Sequence, residues 1–220
     1  MGLLYGVGNS QVDICGPTSR KIGDKWVMYP EYLMWKGVLN RACSEGEKLR
    51  RPSCKESLCN PAWYLRKNFQ DWYFAQEHYY DSNGEILQID KDIIFINNKT
   101  YGPETSALVP RYVNIVTRKM SKGVMPWVAY QRKGPRMINE FKNPWRFEVF
   151  HEGQSIRGSR YHTPLDAHLA ACEVKIECLH QTIGRYEKDI SFQQKVCDGL
   201  TNRIELLRKC IDKKRVCSFY

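Results

Sequence analysis

From Leu165 onward, apolar residues recur in an unbroken four-three rhythm. Leu165, Leu169, Cys172, Ile176, Leu179, Ile183, Tyr186, Ile190, Gln193, Cys197, Leu200, Ile204, Leu207 and Ile211 all fall on it, and only Gln193 is polar. Such spacing is the a/d seam of a coiled coil. Thr163-Pro164 supplies a helix start, a capping hydroxyl followed by the one residue that needs no N–H there. A continuous helix would run roughly 70 Å at 1.5 Å per residue. A domain of this size cannot bury a seam that long, so the pattern points to a homodimer through the C-terminal helix. A break near Gly184 or Gly199 would instead make a helical hairpin within one chain, since Gly costs roughly 1 kcal/mol inside a helix. Residues 164–215 are therefore expected as a coiled-coil helix or a hairpin.

Upstream, WVAYQRK, WRFEVFHE and SIRGSRYH are rich in β-branched and aromatic residues and read as strands, with a tight turn at Glu152-Gly153. Nearer the start, SRKIGDKWVMYP reads as a hairpin. Pro30 to Cys43 reads as a helix whose Tyr32, Trp35, Val38, Leu39 and Ala42 share one face. SEGEKLRRPS reads as a polar loop. Asn60-Pro61 reads as the start of a helix carrying Trp63, Tyr64, Phe69, Trp72, Tyr73 and Phe74.

Residues 87–114, LQIDKDIIFINNKTYGPETSALVPRYVN, place an apolar strand (Ile89 to Ile96) before a turn-forming NNKTYG and a Pro-Glu helix start at Pro103. This is the layout of a ββα-metal nuclease motif. In HNH nucleases of that kind a general-base histidine ends the first strand, and a last His or Asn on the helix helps bind one divalent metal. Counting from Pro103, the base position falls at or near Asp90, the middle residue near Thr105 and the last on Asn114. Asp90 and Asn114 could hold a hard cation such as Mg²⁺. Asp92 is a second carboxylate beside them. His78 is the one histidine of the N-terminal half, which a loop could bring near. No imidazole sits in the motif itself, so a proton acceptor poised near neutral pH is lacking.

Lys and Arg number 34 against 24 Asp and Glu, a formal charge of +10 that suits a polyanionic partner. Hydrophobic residues make up 42% of the chain, enough for a core, and no apolar run approaches a membrane span. The start, MGLLYGVGNSQVD, lacks the basic and apolar blocks of an export signal. Nine cysteines, an odd number, then point to a reducing cytoplasm and to buried, inert thiols rather than disulfides. Cys43, Cys54 and Cys59 offer only three donors with no evident fourth for zinc. A Walker loop, GxGxxG, HExxH and GxSxG are absent from the sequence.

The order of these elements resembles a phage-encoded family usually described as HNH endonucleases, often fused to an ethylene-response-factor-type DNA-binding domain. The matching segments are YGVG at 5–8, YLMWKGVLNRACS at 32–44, NFQDWY at 68–73, IDKDI at 89–93 and TYGPETSALVP at 100–110, followed by KGVMPW, WRFEVF and RYHTPLDAHLAA. They span about residues 5–180. The resemblance implies an α+β chain: an HNH-like domain over 1–118, then a three-stranded antiparallel sheet packed on a helix over 121–180. In the second domain's family the sheet lies in the major groove of double-stranded DNA, where Arg reads guanine edges and other cations grip phosphate. Carried over, Trp127, Arg132, Lys133, Arg136, Trp145, Arg146, Arg157 and Arg160 are the DNA-contact candidates, the two tryptophans being equally suited to packing the helix. The extra GPRMINEFKN between the first two strands departs from the family pattern. Three functions remain open: a DNA-binding relative with a degenerate nuclease centre, an active Mg²⁺-dependent endonuclease using Asp90 and Asn114, and a factor that binds and inhibits a host protein.

Overall fold

The computed structural model describes residues 3–118, 125–131 and 141–217. The chain is mixed α+β, and its internal packing divides it into two units, Met1–Val109 and Pro110–Tyr220. Among the described residues, no helix is long and apolar enough to cross a membrane.

The first unit begins with a short helix α1 (Val12–Cys15) and an antiparallel hairpin of β1 (Ser19–Ile22) and β2 (Lys25–Met28). Helix α2 (Pro30–Cys43) has the expected bounds, and Trp35, Val38, Leu39 and Ala42 of its expected face are buried. SEGEKLRRPS is not all loop: Ser44 caps α3 (Glu45–Arg50) by accepting from the Glu47 N–H at 3.3 Å. The Ser-x-x-Glu spacing is the signature of a capping box, a local signal for this helix. After β3 (Leu58–Cys59), Asn60 caps only a 3₁₀ turn, Pro61–Tyr64, and the aromatic helix α4 starts later, at Arg66–Phe74. Its Phe69 and Tyr73 join Trp63, Trp35, Leu87 and Leu108 in the core, with the Trp35 indole N–H donating to the Trp63 carbonyl at 2.7 Å.

The segment read as a ββα motif folds differently from the expectation. The strand expected over Ile89–Ile96 is β4 (Gln88–Asp90) only. Asp90 Oδ1 accepts from the Asp92 and Ile93 N–H groups at 2.8 and 2.7 Å, which turns the chain out of the strand. Strand β5 (Thr100–Tyr101) pairs in parallel with β3, and β6 (Ala107–Val109) is the antiparallel partner of β4. Pro103 does not start a helix. Residues 103–105 form a turn, in which Thr105 Oγ1 donates to the Thr100 carbonyl and Ser106 Oγ accepts from the Gly102 N–H. The helix begins only at α5 (Arg111–Val116), after Pro110.

Helix α5 belongs to the second unit, with the antiparallel sheet of β7 (Val128–Tyr130), β8 (Trp145–His151) and β9 (Gln154–Tyr161). Glu152 and Gly153 turn the chain between β8 and β9 with φ of 47° and 83°, the pair of left-handed residues that a two-residue hairpin needs. Thr163 accepts from the Asp166 N–H and caps α6 (Pro164–Tyr186), which packs across the sheet. Helix α7 (Gln194–Asp212) returns alongside it.

The four-three seam is therefore a hairpin. Its antiparallel sense shows in the neighbours Cys172 and Cys217, His180 and Arg208, Tyr186 and Gln193. Cys172, Leu179, Tyr186, Cys197, Leu200, Ile204 and Leu207 are buried within the chain, so the seam no longer calls for a second copy. The break falls between Tyr186 and Gln193, just after Gly184, one of the two expected places, and not near Gly199, although Gly184 itself stays helical. Asp189 Oδ1 accepts from the Ser191 N–H and hydroxyl at 3.0 and 2.7 Å, and the Tyr186 hydroxyl donates to the Ser191 carbonyl. These local bonds offer the backbone an alternative to the helix, which the apolar rhythm cannot reveal. The sheet expected at 121–180 and the helix expected at 164–215 share this one unit.

Candidate nucleic-acid interface

One face of the three-stranded sheet packs inward through Val128, Phe147 and Val149, all buried. Opposed residues on adjacent antiparallel strands share a face. On the outer face the register pairs Ala129 with Arg146, Arg146 with Arg160, Glu148 with Arg157, and Phe150 with Ser155. Arg157 and Arg160 are three residues apart, so strict alternation would put them on opposite sides. They share a side because the register shifts between Arg146 and Glu148, leaving one extra residue of β9, at Gly158–Ser159, opposite β8. The bulge gathers Arg146, Arg157 and Arg160 on one surface.

Glu148 is the acidic member of that surface. It forms an ion pair with Arg157 (2.8 Å) and accepts from the Ser155 hydroxyl. Those bonds, with Ser155 first and Arg157 next, hold its carboxyl below the usual range. Arg146 Nε donates to the Gly158 carbonyl at 3.0 Å, which fixes the stem of that side chain against the bulge. Arg160 lies over the Phe141 ring. Among the described residues, the outer face thus carries three guanidiniums against one carboxylate.

Of the two tryptophans, Trp127 packs rather than projects. It is buried, adopts φ of 61°, and its ring lies parallel to the His168 ring at 5.9 Å. The Lys175 ammonium sits over the same indole, and burial pulls this lysine down to about 8. Trp145 is half-buried, edge-on to Tyr130. Its cross-strand partners are Tyr130 and Tyr161, so it belongs to the opposite side from the arginines. Arg132, Lys133 and Arg136 lie outside the described residues.

The proposed cutting-centre residues are distributed over both units. Asp90 ends β4 in the first, whereas Asn114 belongs to α5 in the second. His78 is exposed between α4 and β4, and no hydrogen bond or ion pair among the described residues joins it to Asp90 or Asp92. Asp92 pairs with the Lys91 ammonium at 2.9 Å. Asp90 itself is buried, and burial first, then the Asp92 carboxylate, push its carboxyl up to about 6.

These facts separate two substitutions. Asp90→Asn keeps an oxygen for the two backbone donors and removes a charge that burial penalises. Asp90→Ala strands the donors, at a cost of about 1–3 kcal/mol. In urea unfolding at pH 7 we expect Asp90→Asn to match or exceed the unsubstituted chain and Asp90→Ala to fall below it. Because the folded-state carboxyl titrates above its unfolded value, the native chain gains stability from this group as pH falls through about 6. Asp90→Asn should lack that gain.

A second cluster is not evident from the sequence. His168, Cys172 and Cys217 bring His Nε2 and two Sγ atoms within 4.8 Å of one another, all buried. The two thiols are 3.5 Å apart, and Cys172 Sγ is 3.5 Å from His168 Nε2. The other ring nitrogen, Nδ1, donates to the Pro126 carbonyl at 3.1 Å, and Nε2 accepts from the Cys217 N–H at 3.1 Å. Cys210 adjoins Cys217. Burial pushes the Cys210 thiol up to about 11, and the Cys172 thiol and burial raise Cys217 further. The available signal is His168-x3-Cys172, one helical turn apart on α6, but Cys172 also fits the apolar seam, which masks it. No family model matches this chain, and neither the curated proteins nor the solved structures hold a match to it.

Proposed function

We propose that the second unit binds double-stranded DNA through the outer face of its sheet, with Arg146, Arg157 and Arg160 as the contacting cations. The observation that carries this reading is the bulge at Gly158–Ser159, which sets three guanidiniums on one solvent-facing surface where alternation would have split them. A two-stranded ribbon fits the major groove, and a guanidinium can bond either guanine edges or phosphate oxygens there. The net charge of +10 supplies the long-range attraction. Trp127 serves this face from behind, by fixing the start of β7 against α6.

The test is fluorescence anisotropy of a labelled duplex titrated at several salt concentrations. Three phosphate contacts give a log–log slope of about −2 to −3, and further cations steepen it. A slope near zero would remove the reading.

The second reading, a Mg²⁺-dependent endonuclease, has one specific observation in its favour. Asp90, pushed up to about 6, is a carboxylate poised near neutral pH, the property the missing histidine would have supplied. Plasmid nicking with Mg²⁺ or Mn²⁺, abolished by Asp90→Asn in a chain of unchanged stability, would establish it. Cleavage that persists in that variant would point to a contaminant.

A further inference from the structure

We propose that His168, Cys172 and Cys217, with Cys210 swinging in from beside Cys217, just outside their 4.8 Å group, as fourth donor, form a structural site for a tetrahedral, thiolate-binding cation of the zinc class. The site pins the C-terminal segment to α6, the helix that carries the sheet. Three independent features support it. The first is spacing. Donors at about 2.3 Å (sulfur) and 2.0–2.1 Å (nitrogen) around a tetrahedral Zn²⁺ stand about 3.5–3.8 Å from each other. The observed separations are 3.5 Å between the thiols and 3.5 Å from Cys172 Sγ to His168 Nε2. A disulfide would require about 2.05 Å.

The second is the state of the imidazole. A carbonyl oxygen only accepts, so the Pro126 contact places the ring proton on Nδ1 and leaves the Nε2 lone pair facing the thiols. A metal-bound histidine ordinarily hands its other N–H to such an acceptor, which sets ring orientation and raises basicity. The Cys217 N–H donates to that lone pair at 3.1 Å. On binding, the cation takes it, and the amide turns to a thiolate sulfur. The third feature is the donor set. His168 and Cys172 come from one face of α6, Cys210 from the last turn of α7, and Cys217 from the segment beyond it. Soft thiolates with one imidazole select zinc over the hard, oxygen-seeking Mg²⁺.

Binding balances simply. Each thiol loses its proton to solvent as its sulfur joins the metal, and no electron moves. Three thiolates and Zn²⁺ leave one negative charge, and the Arg215 side chain beside Cys210 offsets it. Because His168 also holds Pro126 and stacks on Trp127, the cation would stiffen the entry to β7, and so the arginine face.

The test uses the full chain, purified under reducing conditions with zinc present. Elemental analysis should find about one zinc per chain. Cobalt added to the stripped, reduced protein should give the intense visible bands of tetrahedral Co²⁺ together with thiolate charge transfer. Cys172→Ser and Cys217→Ser should each lower metal content at least tenfold. Cys178→Ser, which removes a buried thiol of the same helix outside the cluster, should leave it intact. Cys210→Ser should weaken cobalt binding and alter its spectrum. A reduced native chain that takes up neither zinc nor cobalt overturns the proposal, a result that depends on no variant folding. So does recovery of a Cys172–Cys217 disulfide from protein kept reduced, and full retention of the cobalt spectrum by Cys210→Ser overturns the four-donor site.

Discussion

Alanine at Arg146, Arg157 and Arg160 together should lower affinity for duplex DNA by about a hundredfold or more, at about 1–3 kcal/mol for each guanidinium taken from a base edge. The salt slope should flatten by about one unit for each phosphate left without its cation. The side chains lie on the outer face, so unfolding should change little. The largest structural cost is the bond from Arg146 Nε to the Gly158 carbonyl, worth about 1 kcal/mol. A triple variant that unfolds at the same urea concentration and binds DNA as well as the native chain would rule out this face.

Glu148 gives the opposite sign on the same surface. Its carboxylate occupies Arg157 and would oppose an approaching phosphate. Glu148→Gln removes the charge and frees the guanidinium. Two like charges at about 4 Å in water repel by about 1 kcal/mol, so binding should tighten about fivefold. A response to net charge alone would give the same signs, so the control is removal of three exposed cations elsewhere in the unit, Lys188, Lys195 and Lys209, which should change affinity far less.

How much of this is legible in the sequence depends on the range of the interaction. Helix α2 follows from its own periodicity and Pro30, and the β8–β9 turn from Glu152-Gly153, because local bonds decide both. The hairpin of α6 and α7 is one of two outcomes the seam allows. What chooses between them is the Asp189–Ser191–Tyr186 network, whose polar bonds a hydrophobic rhythm does not record. Pro103 misleads for a related reason: Pro-Glu begins helices, but the Thr105 and Ser106 hydroxyls tie that segment back to Thr100 and Gly102. The arginines are legible as residue types, whereas their common face is not, since it depends on a bulge. The thiol cluster is invisible for the simplest reason. Cys172 and Cys217 lie far apart in the chain, and only the return of α7 brings them together.

Gly158→Ala should damage that arginine face without touching an arginine. A Cβ on Gly158 would lie 2.0 Å from Phe147 Cε1 and 2.5 Å from Cδ1 and Cζ. Phe147 is buried between sheet and helix, so its ring cannot swing aside without displacing the core around it. Forced overpacking of this kind costs about 1–3 kcal/mol. Relief is available by flattening the bulge, which returns β9 to strict alternation and carries either Arg157 or Arg160 to the wrong side. Losing the bulge weakens DNA binding, displacing the ring costs stability, and the two are separable. If the ring is displaced, the urea midpoint falls while the bulge persists. If the bulge is lost, stability recovers and affinity falls as in a chain lacking one arginine. Shrinking the ring in the double variant Gly158→Ala, Phe147→Leu should restore part of both, because the bulge is kept by the room the glycine leaves for Phe147. A Gly158→Ala chain with native stability and native affinity would show that the bulge does not set the face.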